Sequence, residues 1–192
     1  MAEQPPVPET VTPEQFFEQL MPMGYQAQVQ SGDAVTPADM TLQFHVTGPG
    51  GGDWHLRIAG GDMKVTKGNQ DAAITITVGI DDWRDAVLGR NGAALNVLVP
   101  QNRPGRPDNS ARAKALKGTM ALDLARDGGG EPFKVELCFN GSATPRTLIK
   151  MKLPDYVAMQ DGRLNGQEAF MTGKLRVEGD MAFLMQIAAL TA

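Results

Sequence analysis

The residues that could do chemistry are few and scattered along the chain. The sequence contains two histidines, His45 and His55, and one cysteine, Cys138. The histidines flank a glycine-rich loop, so we expect them to lie opposite each other on the polar face of a β-hairpin. Two histidines are fewer than the three or four ligands that Zn²⁺ requires. Solvated surface histidines are therefore the simpler interpretation, and no metal site is predicted.

The motifs of nucleophilic catalysis are also missing from the sequence. Cys138 lies on the polar phase of its predicted strand, with no histidine near it in sequence. The G-x-S-x-G elbow of serine hydrolases does not occur. Asp81, Asp82 and Asp180 stand where helices are expected to begin, and helix capping explains them. We predict that the protein is not an enzyme; an enzyme for a hydrophobic substrate, with its site in the middle region, is the alternative.

Composition and charge exclude several classes of protein. The 192 residues carry a formal net charge of −4, and no basic face suggests nucleic acid as a partner. No apolar run is long enough to cross a bilayer, and the first ten residues lack the pattern of an export signal. A single cysteine fits a reducing compartment, and the C-terminus is not a peroxisomal address. A cytoplasmic location is predicted.

The elements that would position these residues begin with a helix. Residues 1–11 are proline-rich and polar, and are expected to form a mobile tail. Residues 12–15 (TPEQ) form a helix start with a capping box. An apolar face follows at 16–21, and we expect Pro22 and Gly24 to break the helix.

Two groups of strands follow, each with alternating apolar and polar residues. Residues 40–78 predict a four-stranded meander with one apolar face, which needs helices to cover it. A helix capped by Asp81 and a short helix from Ser110 are expected next, separated by an exposed loop at 100–109. Residues 120–153 predict a second meander.

The C-terminal stretch, residues 155–190, predicts a helix, a turn, a second helix, a short strand and a final helix. The final helix is apolar on nearly every face, so protein or ligand must cover it. The order of strand, acid–aromatic helix, Gly-Arg and short helix in 74–124 is echoed in 148–179. Either duplication or similar packing demands explains this echo.

The C-terminal stretch resembles the sterol carrier protein type-2 family of sterol-binding and lipid-transfer domains. The similarity consists of Asp155-Tyr156 opening a helix, GRLN at 162–165, QEAFM at 167–171 and GKLRVEGD at 173–180. The opening helix and the strands around Phe44, Trp54 and Ile76 are similar to that family as well. Family-like parts therefore lie at 12–89 and 147–190, and residues 90–146 form an extra region within a single domain spanning 12–192.

This resemblance implies an α+β fold, with a mostly antiparallel curved sheet, helices on one face and an extra meander. It also implies an apolar tunnel between the sheet and the C-terminal helix, without a cofactor or metal. A fatty acid, an acyl-CoA, a sterol or a similar lipid would be bound there. We expect these residues to line the tunnel: Phe44, Trp54, Ile76, Met151, Tyr156, Met159, Phe170, Met171, Phe183, Leu184 and Ile187.

The resemblance is compatible with two kinds of partner besides the hydrophobic ligand. Lys174, Arg176 and Arg163 could hold a lipid headgroup or a CoA phosphate, although solvated surface charges are the simpler interpretation. Transient membrane contact and a homodimer are both compatible with this picture. The alternative function is a dimerisation or structural module, in which the final helix packs on a partner subunit.

Overall fold

The computed structural model describes residues 7–30, 39–90 and 110–191. Residues 1–6 of the expected tail (1–11) and the expected loop at 100–109 lie outside these ranges. The end of the tail was wrongly expected to be mobile, because Val11 is buried in the hydrophobic core. No helix within the described ranges is long and apolar enough to span a bilayer.

A single eight-stranded sheet joins both halves of the chain, in the order β3-β2-β1-β4-β6-β5-β7-β8. The strands are β1 Met40–Thr47, β2 Gly52–Ala59, β3 Asp62–Lys67, β4 Ile74–Gly79, β5 Gly118–Ala125, β6 Phe133–Phe139, β7 Arg146–Lys152 and β8 Arg176–Gly179. The helices are α1 Pro13–Gln15, α2 Met21–Gln30, α3 Ile80–Leu88, α4 Ser110–Ala115, α5 Leu153–Gln160, α6 Gly166–Met171 and α7 Met181–Thr191. The expected mixed fold of helices and a mostly antiparallel sheet is confirmed.

The N-terminal helix begins as expected but does not end at Pro22. The Thr12 hydroxyl accepts a hydrogen bond from the Gln15 backbone N–H, and the Gln15 side chain accepts one from the Thr12 N–H. A π-helical turn, Phe16–Leu20, then leads directly into α2. The prediction of a break was wrong: the helix continues through Pro22, which directly follows the π-helical turn, and prolines and π-turns are places where a helix can bend without ending.

The last strand of each group does not continue the meander. β4 pairs in parallel with β1 instead of following β3, and β7 pairs in parallel with β5. The Gln43 side chain stabilises the first crossover, donating to the Gly68 carbonyl at 3.3 Å and accepting from the Gln70 N–H at 3.0 Å. Strand alternation marks which residues are buried, but it carries no information about which neighbour a strand pairs with.

One face of the sheet carries the hydrophobic core. Apolar residues from β1, β2, β4, β5, β6 and β7 form one cluster together with residues of α3, α5 and α7. Charged and polar side chains occupy the alternate positions, among them Asp123, Lys150 and Arg176, which are neighbours across three strands. The helical side is therefore where an apolar ligand would be enclosed, and the opposite side is where charges accumulate.

Candidate functional site

The expected lining residues of the first half lie beneath the N-terminal helix. Phe17 stacks on Trp54 with ring centroids 4.9 Å apart and lies 4.8 Å from the ring of Phe44. The Trp54 indole N–H donates to the Glu18 carboxylate at 3.1 Å. Phe44, Trp54 and Ile76 are all buried. Two of these three residues, Phe44 and Trp54, are therefore already in contact with an aromatic ring of the protein.

The lining residues of the second half lie between α5 and the strands β5 and β7. Met151 and Tyr156 are buried, and Met159 is partly buried against the same cluster. Burial raises the pKa of the Tyr156 phenol to about 12, although a hydrogen bond with the Gln160 side chain lowers it. The phenol is therefore neutral at physiological pH and supplies a hydroxyl group in an apolar environment.

Helix α7 contacts the sheet along one side only. Phe183 is 1% exposed and lies 6.2 Å from the Phe139 ring, edge to face. A Cβ atom added to Gly118 would lie 2.7 Å from the Phe183 ring, so this contact is closely packed. Ile187 is buried and Leu184 partly buried.

The opposite side of α7 is apolar and exposed. Met181 and Met185, one helical turn apart, are 47% and 65% exposed. The helix starts where expected, since the Asp180 carboxylate accepts a hydrogen bond from the Phe183 N–H at 2.8 Å. The apolar surface of α7 is therefore larger than the part of it that the sheet buries.

Two of the expected lining residues lie on the surface. Phe170 is 52% exposed and Met171 is 78% exposed, both at the end of α6. Their neighbours Ala169 and Leu175 are the residues of this segment that enter the core. The structure therefore brings Met151, Tyr156, Phe183 and Ile187 into one core and leaves Phe170 and Met171 outside it.

An open cleft of about 460 Å³ lies beside these exposed residues. Its lining is formed by the ends of β5 and β7, the start of α5 and the segment that leads into β8: Asp123, Ala125, Lys150, Met151, Lys152, Asp155, Thr172, Gly173, Lys174 and Arg176. We refer to it as the basic cleft. Of the cations expected to hold an anionic group, Lys174 and Arg176 lie here. Arg163 instead pairs with Asp161 at 2.9 Å.

Two lysines of the basic cleft, Lys150 and Lys152, were missed by the sequence analysis. Strand alternation was the available signal, since both lie on the phase opposite the buried Met151. Lys150 pairs with Glu178 at 2.8 Å and Lys174 with Asp155 at 3.0 Å. The hydrogen bond and the charge of Glu178 raise the pKa of Lys150, so it is positively charged at neutral pH.

A second open cleft, of about 520 Å³, lies at the ends of β1 and β4. Arg126 occupies it, donating to Asp82 at 2.5 Å and to Asp85 at 2.6 Å. These three side chains are between 13% and 19% exposed. Asp82 also accepts a hydrogen bond from the Lys134 backbone N–H at 3.0 Å. We refer to this group as the Arg126 clamp.

The histidines do not face each other across the first hairpin. His45 is opposite Asp53, to which its Nδ1 is hydrogen-bonded, and His55 is opposite Gln43. His55 is 8% exposed, so the interpretation of both histidines as solvated was wrong for this one. The hairpin register is offset by two residues from the symmetric one that the sequence suggested. Within the described ranges, no group of three or more potential ligands could hold a metal ion.

Comparisons with known proteins identify a family whose model matches this chain. The model of the SCP-2 sterol transfer family matches residues 95–192, and a comparison with curated proteins found no match. Among solved structures, the apo form of sterol carrier protein 2 from Yarrowia lipolytica is 16% identical, with 94% of this chain and 98% of that chain covered and a TM-score of 0.27.

Two further solved structures are similar to this chain. The sterol carrier protein domain 2 of Helicoverpa armigera is 18% identical, covers 94% of this chain and 90% of that chain, and has a TM-score of 0.22. A double mutant of the sec-alkyl sulfatase PisA1 is 14% identical over 95% of this chain, with a TM-score of 0.26. The match spans 16% of the sulfatase chain.

Proposed function

Because this chain belongs to the SCP-2 sterol transfer family, we propose that it binds a long-chain lipid between α7 and the sheet and carries it without chemical change. The observation that supports this most is that α7 is more apolar than its contact with the sheet requires. Phe183 and Ile187 pack on the core, whereas Met181 and Met185 remain exposed. Leu184, on the inner side, is only partly buried against the same core, so this side of α7 has apolar surface that a ligand can cover.

The energetics of such a site are favourable even without precise shape. Burying one methylene group contributes about 0.8 kcal/mol. Ten methylenes would therefore contribute roughly 8 kcal/mol before ordering costs, which corresponds to about micromolar binding. Methionine side chains adapt easily to different ligands because they are flexible and polarisable. Met151 and Met159, in β7 and α5, are well placed to contact a ligand that enters beneath α7.

Ligand entry requires α7 to move away from the sheet. Its N-terminal end is held on β7 by the Thr147 hydroxyl, which donates to the Asp180 carbonyl at 2.6 Å, and by the close contact of Phe183 with Gly118. Leu184, in contrast, is only partly buried. We infer that the ligand enters on the Leu184 side of α7, and that Phe183 remains in place as the point about which the helix opens.

The experiment is the uptake of a fluorescent fatty acid by wild type, Leu184→Asp and Met185→Asp. Leu184→Asp places a charge on the inner side of α7 and is expected to reduce affinity at least about tenfold, since charged groups are poorly tolerated in apolar sites. Met185→Asp introduces the same charge on the exposed side of the same helix and should retain uptake. Circular dichroism checks that both variants are folded. Equal uptake by all three proteins would contradict the proposal.

The exposed strip of Met181 and Met185 favours one other function, a dimerisation module in which α7 packs on a second copy. This model predicts a dimer by light scattering that Met185→Asp converts to a monomer. Under the lipid model, Met185→Asp changes nothing and native mass spectrometry of the purified protein shows a bound lipid. The two substitutions therefore separate the two functions.

A further inference from the structure

The end of α6 presents apolar side chains directly beside the basic cleft. Phe170 and Met171 are 52% and 78% exposed, and the next three residues, 172–174, line the cleft. The two side chains are adjacent, and exposed apolar patches that are rimmed by polar groups mark interaction sites. Phe170 and Met171 therefore form an apolar projection that lies next to the cations of the basic cleft.

The charge of the basic cleft is opposite to that of the chain. Four cations line it, Lys150, Lys152, Lys174 and Arg176, against two carboxylates, Asp123 and Asp155, whereas the whole chain carries a net charge of −4. Glu178 and Asp155 pair with Lys150 and Lys174. Among the residues that the structure describes, Lys152 and Arg176 form no ion pair. These two cations are available to an anion from outside.

The equivalent place in the first half of the chain has its cation largely buried. Asp82 and Asp155 are each the third residue of a helix that follows the second strand of a parallel pair. In the first half, Arg126 occupies this place and is 13% exposed between two carboxylates. In the second half, the corresponding cation is Lys174, which is 48% exposed. The same backbone arrangement therefore holds a largely buried cation in one half and a solvent-exposed cation in the other.

We propose that the end of α6 and the basic cleft together form a docking surface for membranes that contain anionic phospholipids. Phe170 and Met171 enter the interfacial region of the bilayer, and Lys152, Arg176 and Lys174 contact lipid phosphates and carboxylates. Charge complementarity selects this partner, since the cations of the basic cleft lie beside an apolar projection on a protein with a net charge of −4. The purpose of docking rests on the proposed lipid-carrier function, because a carrier must collect and release its ligand at a membrane.

The test is co-sedimentation of the full chain with vesicles of phosphatidylcholine alone or mixed with phosphatidylserine. Wild type should bind the mixed vesicles more strongly, and added salt should weaken that binding. Lys152→Glu combined with Arg176→Glu should reduce binding to mixed vesicles at least about tenfold. The matched control is Arg57→Glu with Lys64→Glu, an exposed cross-strand pair on β2 and β3, which should bind like wild type.

The apolar half of the surface is tested with Phe170→Ser combined with Met171→Ser. This variant should lose binding to both kinds of vesicle, whereas Met23→Ser, at a methionine that is 66% exposed on α2, should not. Wild-type binding by the Lys152→Glu/Arg176→Glu variant would overturn the proposal. A monomer–dimer change in the Phe170→Ser/Met171→Ser variant with unchanged vesicle binding would also overturn it, since the face would then contact a second copy.

Failure of docking is distinguishable from failure of the carrier function. Fatty-acid uptake without vesicles is measured on wild type and on the Lys152→Glu/Arg176→Glu variant. If both proteins take up the fatty acid and the charge reversal leaves vesicle binding unchanged, the docking surface is overturned and the carrier function is not. Absence of uptake by wild type contradicts the carrier function, while loss of vesicle binding on charge reversal still supports the docking surface.

Discussion

Tyr156 is a buried residue that makes the stability of the fold depend on pH. It lies on the inner side of α5 and is 9% exposed, and burial raises the pKa of its phenol from 10.0 to about 12. The folded protein therefore keeps the phenol neutral over a pH range in which the unfolded chain ionises it. Such a group stabilises nothing at neutral pH but makes the fold sensitive to alkali.

We predict that this sensitivity begins near pH 10 and ends near pH 12. Below the pKa of the unfolded chain both states are protonated; above it the unfolded state loses a proton that the folded state retains. The free energy of unfolding should then fall by about 1.4 kcal/mol per pH unit from this residue. Urea unfolding of wild type and Tyr156→Phe at a series of pH values measures the difference. Parallel pH profiles for the two proteins would be inconsistent with a raised pKa.

At the same scale, the sequence predicted the burial of some residues correctly and of others incorrectly. Phe44, Trp54, Ile76 and Phe183 were expected at the apolar layer, and the structure buries all four. Phe170 was expected there by resemblance, yet α6 has only two turns and Ala169 occupies its inner side. In so short a helix, periodicity cannot decide which of two adjacent apolar residues is inside.

At the scale of elements, the Arg126 clamp joins α3 to the β5–β6 hairpin. Arg126 leaves β5 immediately after Ala125, binds two aspartates of α3, and lies over the Phe133 ring at 5.8 Å. The ion pair of Lys174 with Asp155 links the β8 approach to α5 at the corresponding place, but the Lys174 side chain is 48% exposed. The two ion pairs join similar elements, but the Arg126 side chain is largely buried and the Lys174 side chain is exposed.

We predict that the two links differ in their contribution to stability. Arg126→Ala leaves Asp82 and Asp85 together in a poorly solvated site, and should lower the free energy of unfolding by about 3 kcal/mol. Lys174→Ala removes an exposed pair and should cost less than about 1 kcal/mol. Chemical denaturation of the two variants measures both values. Equal, small effects would show that the clamp is as solvated as the Lys174 pair.

The boundaries of the elements were easier to predict than their pairing. The capping box at Thr12 and the helix–turn–helix–strand–helix order after Leu153 follow local rules, and both are confirmed. The expected cap of α3 by Asp81 was wrong, because the helix begins earlier, with Gly79 at the N-cap and Asp81 in the first turn. The parallel pairing of β1 with β4 depends on contacts such as that of Gln43 with Gly68, 25 residues away in sequence. No periodicity in a single strand encodes such a contact.

At the scale of the whole molecule, the two halves repeat one arrangement within one sheet. Each half has an antiparallel hairpin, a strand that returns parallel to its first strand, and a helix with an acid at its third position. The family match begins at residue 95, so it covers the second of these arrangements, including most of the region that the sequence analysis set apart as extra. This geometry favours duplication as the origin of the echo in the sequence.

The halves are joined by the antiparallel pairing of β4 with β6, from Ile74–Phe139 to Val78–Val135. Because β6 also pairs with β5, separating the halves would expose a central strand of the sheet. We therefore predict that they unfold in a single cooperative transition. Both tryptophans, Trp54 and Trp83, lie in the first half, so tryptophan fluorescence reports on that half whereas far-ultraviolet circular dichroism reports on both. The midpoints in urea should coincide.

A substitution at the junction makes the test sharper. Thr77 lies in β4 opposite Glu136 of β6, and proline there cannot donate to a central ladder. Thr77→Pro should lower both midpoints together if the sheet is one unit, because damage to β4 then destabilises strands on both sides of it. Thr66→Pro in β3, the edge strand, is the control and should have a smaller effect. A wild-type fluorescence midpoint well below that of circular dichroism would instead indicate two independently folding halves, each with its own apolar layer.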